Sequence, residues 1–76
     1  MILRNRIRDL RLQKTLTQQA LAERVGVTRQ TVIAVEHGKF APSVRLALEL
    51  ARALEVSVHD AFWLEDEIGG TVQCPE

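Results

Sequence analysis

The 76 residues are expected to form one small domain, with no room for a separate catalytic or ligand-binding domain. Hydrophobic residues make up 46% and charged residues 26%, which excludes intrinsic disorder, and with no Tyr, two Phe and one Trp the apolar content is largely aliphatic, suited to packed helices more than to a small sheet. The formal net charge is zero, yet residues 1–39 hold eight basic against three acidic side chains and residues 40–76 two against seven, so a half of +5 adjoins a half of −5; the basic half suits a polyanion, unless the halves are simply two solvated faces.

Apolar periodicity and capping residues predict five short helices, an all-α fold. The first runs from about Asn5 to Lys14, with Ile7 and Leu10, and with Leu3 and Arg11 as further members of one face. Thr17 caps a second helix from Gln18 to Val25, in which Ala20, Leu21 and Val25 recur at helical spacing. Gly26 supplies the left-handed stop, and Val27 plugs the turn into the core. Thr28 caps a third helix from Arg29 to His37, ended by Gly38. After the breaker Lys39-Phe40-Ala41-Pro42, Ser43 caps a fourth helix through Leu46, Ala47, Leu50, Ala51 and Leu54. Ser57 caps a short fifth helix with Val58, Ala61 and Phe62. The composition changes at Trp63, and residues 65–76 read as an acidic, partly extended or disordered tail following a domain of residues 1–64.

No apolar run approaches the roughly 18 residues of a membrane span, and the arginines that follow Met1-Ile2-Leu3 do not suit a signal peptide. The lone Cys74 offers no disulfide and points to a reducing cytoplasm. His37, His59 and Cys74 lie in three separate segments without ligand spacing, so neither an enzyme nor a metal or cofactor site is expected.

The informative constellation is Val25-Gly26-Val27-Thr28, which joins two short capped helices, with Ala20 small where they approach and Val27, Val32 and Val35 as the apolar wedge between them. This spacing fits a helix-turn-helix over about residues 17–37, and equally an ordinary helical hairpin in a small bundle. The third helix separates the two. At 100° per residue Val32 and Val35 turn to the core, while Gln30, Ile33, Ala34 and His37 share the opposite face with Arg29 at its flank. An amide, a guanidinium and small apolar groups suit base edges in a major groove, although Ile33 and Ala34 would also suit packing against another helix. The backbone N–H groups at the start of the second helix, the Gln18 side chain, Thr28 and Lys39 are candidate phosphate contacts. Arg11 and Glu36 fit a structural ion pair better than a DNA contact.

The segments Thr17-Gln18-Gln19-Ala20-Leu21-Ala22, Gly26-Val27-Thr28-Arg29-Gln30-Thr31-Val32, Glu36-His37-Gly38-Lys39, Pro42-Ser43 and Ala51-Arg52-Ala53-Leu54-Glu55-Val56-Ser57 together resemble the Xre family of lambda-repressor-like, Cro-like helix-turn-helix proteins over about residues 4–64. The resemblance implies a compact five-helix DNA-binding domain. It places phosphates near Gln18 and Lys39, bases near Arg29, Gln30, Ile33 and Ala34, and an Arg11–Glu36 pair. Glu55 departs from the family by standing where glycine is common, which bears on the end of the fourth helix. Ile33 and Ala34 stand where phage repressors have polar base readers. One helix-turn-helix reads a half-site, so a homodimer on an inverted-repeat operator is implied, acting as a transcriptional repressor on double-stranded DNA. Trp63, Leu64 and Ile68 are the candidate dimer contacts; Phe62 fits local packing better. The other reading is an antitoxin-like or coactivator-like adaptor that takes a protein partner through the C-terminal tail.

Overall fold

The computed structural model describes residues 1–66. In chain order the elements are strand β1 (Ile2–Asn5), helices α1 (Ile7–Gln13), α2 (Gln18–Val25), α3 (Arg29–Glu36), α4 (Val44–Ala53) and α5 (Val58–Ala61), and strand β2 (Phe62–Glu65). The five helices are those expected from the sequence. The strands correct the all-α expectation: β1 and β2 form an antiparallel two-stranded ribbon in which Ile2 faces Glu65, Leu3 faces Leu64, Arg4 faces Trp63 and Asn5 faces Phe62. Phe62 is therefore the first residue of a strand and not the last of α5, and Leu3 does not belong to the face of α1.

Four helix starts follow directly from side-chain chemistry. Thr17, Thr28, Ser43 and Ser57 have extended backbones, and each hydroxyl accepts a hydrogen bond from the N–H three residues on, at Ala20, Thr31, Leu46 and Asp60. Each cap satisfies a donor that the helix itself leaves open and stabilises by about 1 kcal/mol. The start of α1 works differently. Asn5 accepts from the Ile7 N–H at 3.0 Å and donates to the Val35 carbonyl at 2.8 Å. One amide thus holds the entry of α1 against the last turn of α3, and it keeps Asn5 in the ribbon instead of the helix.

The ends of α1, α3 and α4 share one geometry. Gly38 has φ 74°, Thr15 φ 54° and Glu55 φ 61°. The following N–H groups of Lys39, Leu16 and Val56 reach back to the carbonyls of Ala34, Arg11 and Ala51 at 2.9 to 3.1 Å, the closing pattern that favours glycine at the left-handed residue. Glu55 adopts that conformation without being glycine. Lys14 reaches its carboxylate at 2.8 Å, tying the end of α1 to the end of α4, and this ammonium holds the Glu55 carboxyl below the ordinary carboxylate range.

The core is a single aliphatic cluster of Ile7, Leu10, Leu21, Ala22, Val25, Val32, Val35, Leu50, Leu54 and Ala61, with Leu16, Val27, Leu46, Ala53, Val56 and Phe62 packed around it. Every helix contributes. The small residue buried most deeply on α2 is Ala22, fully covered, whereas Ala20 is half-buried. No helix among the described residues is long and apolar enough to cross a membrane.

Candidate nucleic-acid interface

The turn between α2 and α3 is built by three adjacent residues. Gly26 takes φ 76° and ψ 32°, a left-handed conformation costly for residues with a Cβ. Val27 sends its N–H back to the Ala22 carbonyl at 3.0 Å and packs its side chain on the core. Thr28 then starts the next helix, its hydroxyl also lying 3.1 Å from that of Thr31. With Leu21, Ala22 and Val25 buried on one helix and Val32 and Val35 on the other, the two helices cannot rotate about their axes without exposing these side chains. The opposite surface of α3 is thereby fixed.

That surface carries Arg29, Gln30 and His37 as exposed residues, with Ile33 and Ala34 half-buried beside them. The sequence placed all five on one outward stripe. Ile33 and Ala34 are less open than that stripe implies, which leaves Arg29, Gln30 and His37 as its exposed polar side chains. Lys39 is exposed just beyond the end of α3.

Beneath this surface runs a chain of hydrogen bonds. Arg11 and Glu36 do pair: Arg11 Nε lies 2.7 Å from Glu36 Oε2, and the Glu36 side chain is fully covered. Arg11 also donates from Nη1 to the Leu16 carbonyl at 2.9 Å. Gln18 Nε2 donates to Glu36 Oε1 at 3.2 Å, and Gln18 Oε1 accepts from Arg29 Nε at 3.3 Å. Among the described residues no buried side-chain polar atom lacks a partner, so the ion pair is satisfied where it is desolvated. Gln18, expected from the sequence as a phosphate contact, thus has its amide engaged at both ends. Residue spacing alone does not announce this bridging; the sequence signal for the two hydrogen bonds of Asn5 is an Asx residue two places before a buried isoleucine.

The ribbon lies apart from this surface. In β1 exposure alternates, with Leu3 and Asn5 half-buried and Ile2 and Arg4 exposed, whereas in β2 Phe62 and Glu65 are half-buried and Trp63 and Leu64 are both exposed. Arg4 Nε pairs with Glu65 Oε1 at 2.6 Å across the strands. Trp63 is 40% and Leu64 54% exposed, so both expected dimer candidates are open to contact. The third, Ile68, lies outside the described residues. Among the described residues no group of three or more His, Cys, Asp or Glu side chains is placed to hold a metal ion.

Comparison with known proteins adds four findings. A helix-turn-helix family model matches residues 7–60. The chain is 45% identical over 65 residues to YgzD of Bacillus subtilis, an uncharacterised HTH-type transcriptional regulator, covering 86% of this chain and 98% of that protein. It is 50% identical over 66 residues to an uncharacterised HTH-type transcriptional regulator of Methanothermobacter thermautotrophicus, covering 86% of this chain and 96% of that protein. Among solved structures, the restriction-modification controller protein C.AhdI from Aeromonas hydrophila superposes with a TM-score of 0.67 at 37% identity, over 71% of this chain and 78% of that one.

Proposed function

Since the chain belongs to the Xre, lambda-repressor-like helix-turn-helix family of DNA-binding transcriptional regulators, we propose that it binds a specific double-stranded DNA sequence as a homodimer and acts as a repressor on an inverted-repeat operator. The observation that carries this reading is the exposure of Arg29 and Gln30 at the start of α3, on a helix whose other face is locked into the core. Gln30 matches the paired donor and acceptor of adenine, Arg29 matches guanine, and Ile33 and Ala34 meet thymine methyl groups. The backbone N–H of Gln18 at the start of α2, with Thr28 and Lys39, binds the flanking phosphates and fixes register without reading sequence. One such module reads half a site, and a second copy docked through Trp63 and Leu64 supplies the other half.

Selection from a randomised duplex pool tests this, with the best sequence titrated between about 50 and 200 mM salt. The expected result is an enriched inverted repeat, bound with a steep salt dependence and weakened by Gln30→Ala at one base position. Failure to enrich any sequence overturns the reading. The exposure of Trp63 and Leu64 favours a second reading, a protein-binding adaptor that is antitoxin-like or coactivator-like. Charge reversal at Arg29 and Lys39 separates the two, because it abolishes operator binding and spares a partnership made through the ribbon.

A further inference from the structure

The carbonyls in the last turn of a helix lack the donors that a continuing helix would supply. At the end of α3 the Lys39 N–H reaches back to the Ala34 carbonyl at 2.9 Å, so the Val35 carbonyl accepts instead from the Gly38 N–H at 3.0 Å. A carbonyl has room for a second donor, and here it is the Asn5 side chain, whose Nδ2 donates at 2.8 Å. The ribbon places Asn5: its backbone pairs with Phe62, and the next N–H, of Arg6, donates to the Ala61 carbonyl at 3.1 Å. The Ile7 N–H, 3.0 Å from Asn5 Oδ1, then fixes which way the amide points. Reversing it would set a carbonyl against the Val35 carbonyl and an NH2 against the Ile7 N–H, forfeiting both hydrogen bonds. Around this link packing is incomplete, because a cleft of about 110 Å3 lies between Ile2, Leu3 and Phe62 of the ribbon and Gly38, Phe40 and Pro42 beyond α3. The turn so held leads directly into the exposed Lys39.

We propose that Asn5 is a positioning residue for phosphate contact: it transmits the closed state of the ribbon into the turn after α3, and so fixes where Lys39 meets the DNA backbone. This rests on the phosphate-binding role proposed above for Lys39. DNA affinity then depends on a ribbon that lies apart from the α3 surface, and by linkage bound DNA holds the ribbon closed.

The test uses a duplex carrying one half of the enriched site, so that self-association does not enter. It compares the wild type with Asn5→Ser, Lys39→Ala, Leu3→Gly and the double variants that combine Asn5→Ser with each of the others. Serine keeps an acceptor for the Ile7 N–H and is too short to reach Val35; thermal unfolding verifies that each variant is folded. Asn5→Ser is expected to weaken binding about three- to tenfold, the scale of one hydrogen bond. The loss is uniform over sequences, with the salt slope lowered by about one and the preference at the Gln30-dependent position unchanged. The double variant with Lys39→Ala resembles Lys39→Ala alone. Leu3→Gly loosens the ribbon and weakens binding by a similar factor in the wild type, but not in Asn5→Ser. An unchanged salt slope in Asn5→Ser, or losses that add in either double variant, overturns the inference in favour of a merely structural Asn5. No effect of Lys39→Ala on the wild type overturns it while leaving sequence reading by α3 standing, whereas no enrichment by the wild type overturns both. An independent reading comes from hydrogen exchange in the DNA-free protein: the Gly38 and Lys39 amides exchange faster in Asn5→Ser than in the wild type, while that of Leu21 does not. Equal exchange at Gly38 and Lys39 in the two proteins shows that Asn5 does not hold the turn, and overturns the inference as well.

Discussion

The helix-turn-helix pair and the terminal ribbon both hold two short elements side by side, by different means. Helices α2 and α3 are adjacent in sequence, share buried Leu21, Ala22, Val25, Val32 and Val35, and cover an ion pair whose carboxylate side chain has no exposure. Strands β1 and β2 meet from opposite ends of the described chain, bury Leu3 and Phe62 only by half, and carry an ion pair whose side chains are 54% and 44% exposed. Side-chain burial therefore fixes the outer face of α3, whereas backbone pairing holds the ribbon and leaves Trp63 and Leu64 exposed. The difference extends to the polar chemistry: the Arg11–Glu36 pair is covered, and the Arg4–Glu65 pair is solvated.

The sharpest way to break this contrast is to remove one arginine from each region. Arg11→Met strands the buried Glu36 carboxylate and is expected to cost about 3 to 5 kcal/mol in urea unfolding. Arg4→Met on the ribbon, paired in water, is expected to cost under about 1 kcal/mol in the same assay. Next in size are the apolar contacts. Leu21→Ala should lower stability by about 2 to 5 kcal/mol at any protein concentration. Leu64→Ala should have little effect on the dilute monomer and should weaken self-association, read by sedimentation across a concentration series. Backbone changes come third. Gly26→Ala is expected to destabilise by about 1 kcal/mol, a cost of the left-handed backbone alone, since a Cβ there meets nothing within 4 Å. Thr15→Gly relieves the same conformation at the end of α1 and should stabilise by a similar amount. The smallest effect is electrostatic. The Glu55 carboxyl is depressed by Lys14, so its contribution is present above the unfolded carboxylate pKa and fades as pH falls through the lower folded value. Lys14→Gln should flatten that acid-side dependence in thermal unfolding measured from neutral to acid pH.

Much of the helical core was legible in the sequence because its signals are local. A threonine or serine three residues before its hydrogen-bonded N–H, a glycine after a periodic run, and valines at helical spacing marked α2 as Gln18–Val25 and started α3 at Arg29. The Arg11–Glu36 pair is also expected from the residues, with the family resemblance in support. The ribbon was hidden for a physical reason: four residues, Ile-Leu-Arg-Asn, fit either a helix turn or a strand, and the partner that decides lies about sixty residues away. Asn5, which the pattern places in the first helix, is the last residue of β1 and accepts from the Ile7 N–H at the helix entry. The left-handed Thr15 carried no glycine to announce it, whereas Glu55 stood out because the family commonly has glycine there. The base-contact and phosphate assignments depend on a ligand, and the sequence supplied only their side-chain types.

Pairing across that separation also has a consequence in time. Helices form from near neighbours, but closing β1 on β2 must first overcome the entropy of the intervening loop, and that closure is repaid by few buried contacts. The ribbon is expected to be the last part knitted during folding and the first to loosen in the native protein. Hydrogen exchange should show its amides opening with little sensitivity to denaturant, while those of Leu21 and Val32 exchange only when the whole domain unfolds. A second copy seated on Trp63 and Leu64 would slow the first group and leave the second unchanged, so that assembly would act as a latch on the most readily opened seam of the domain.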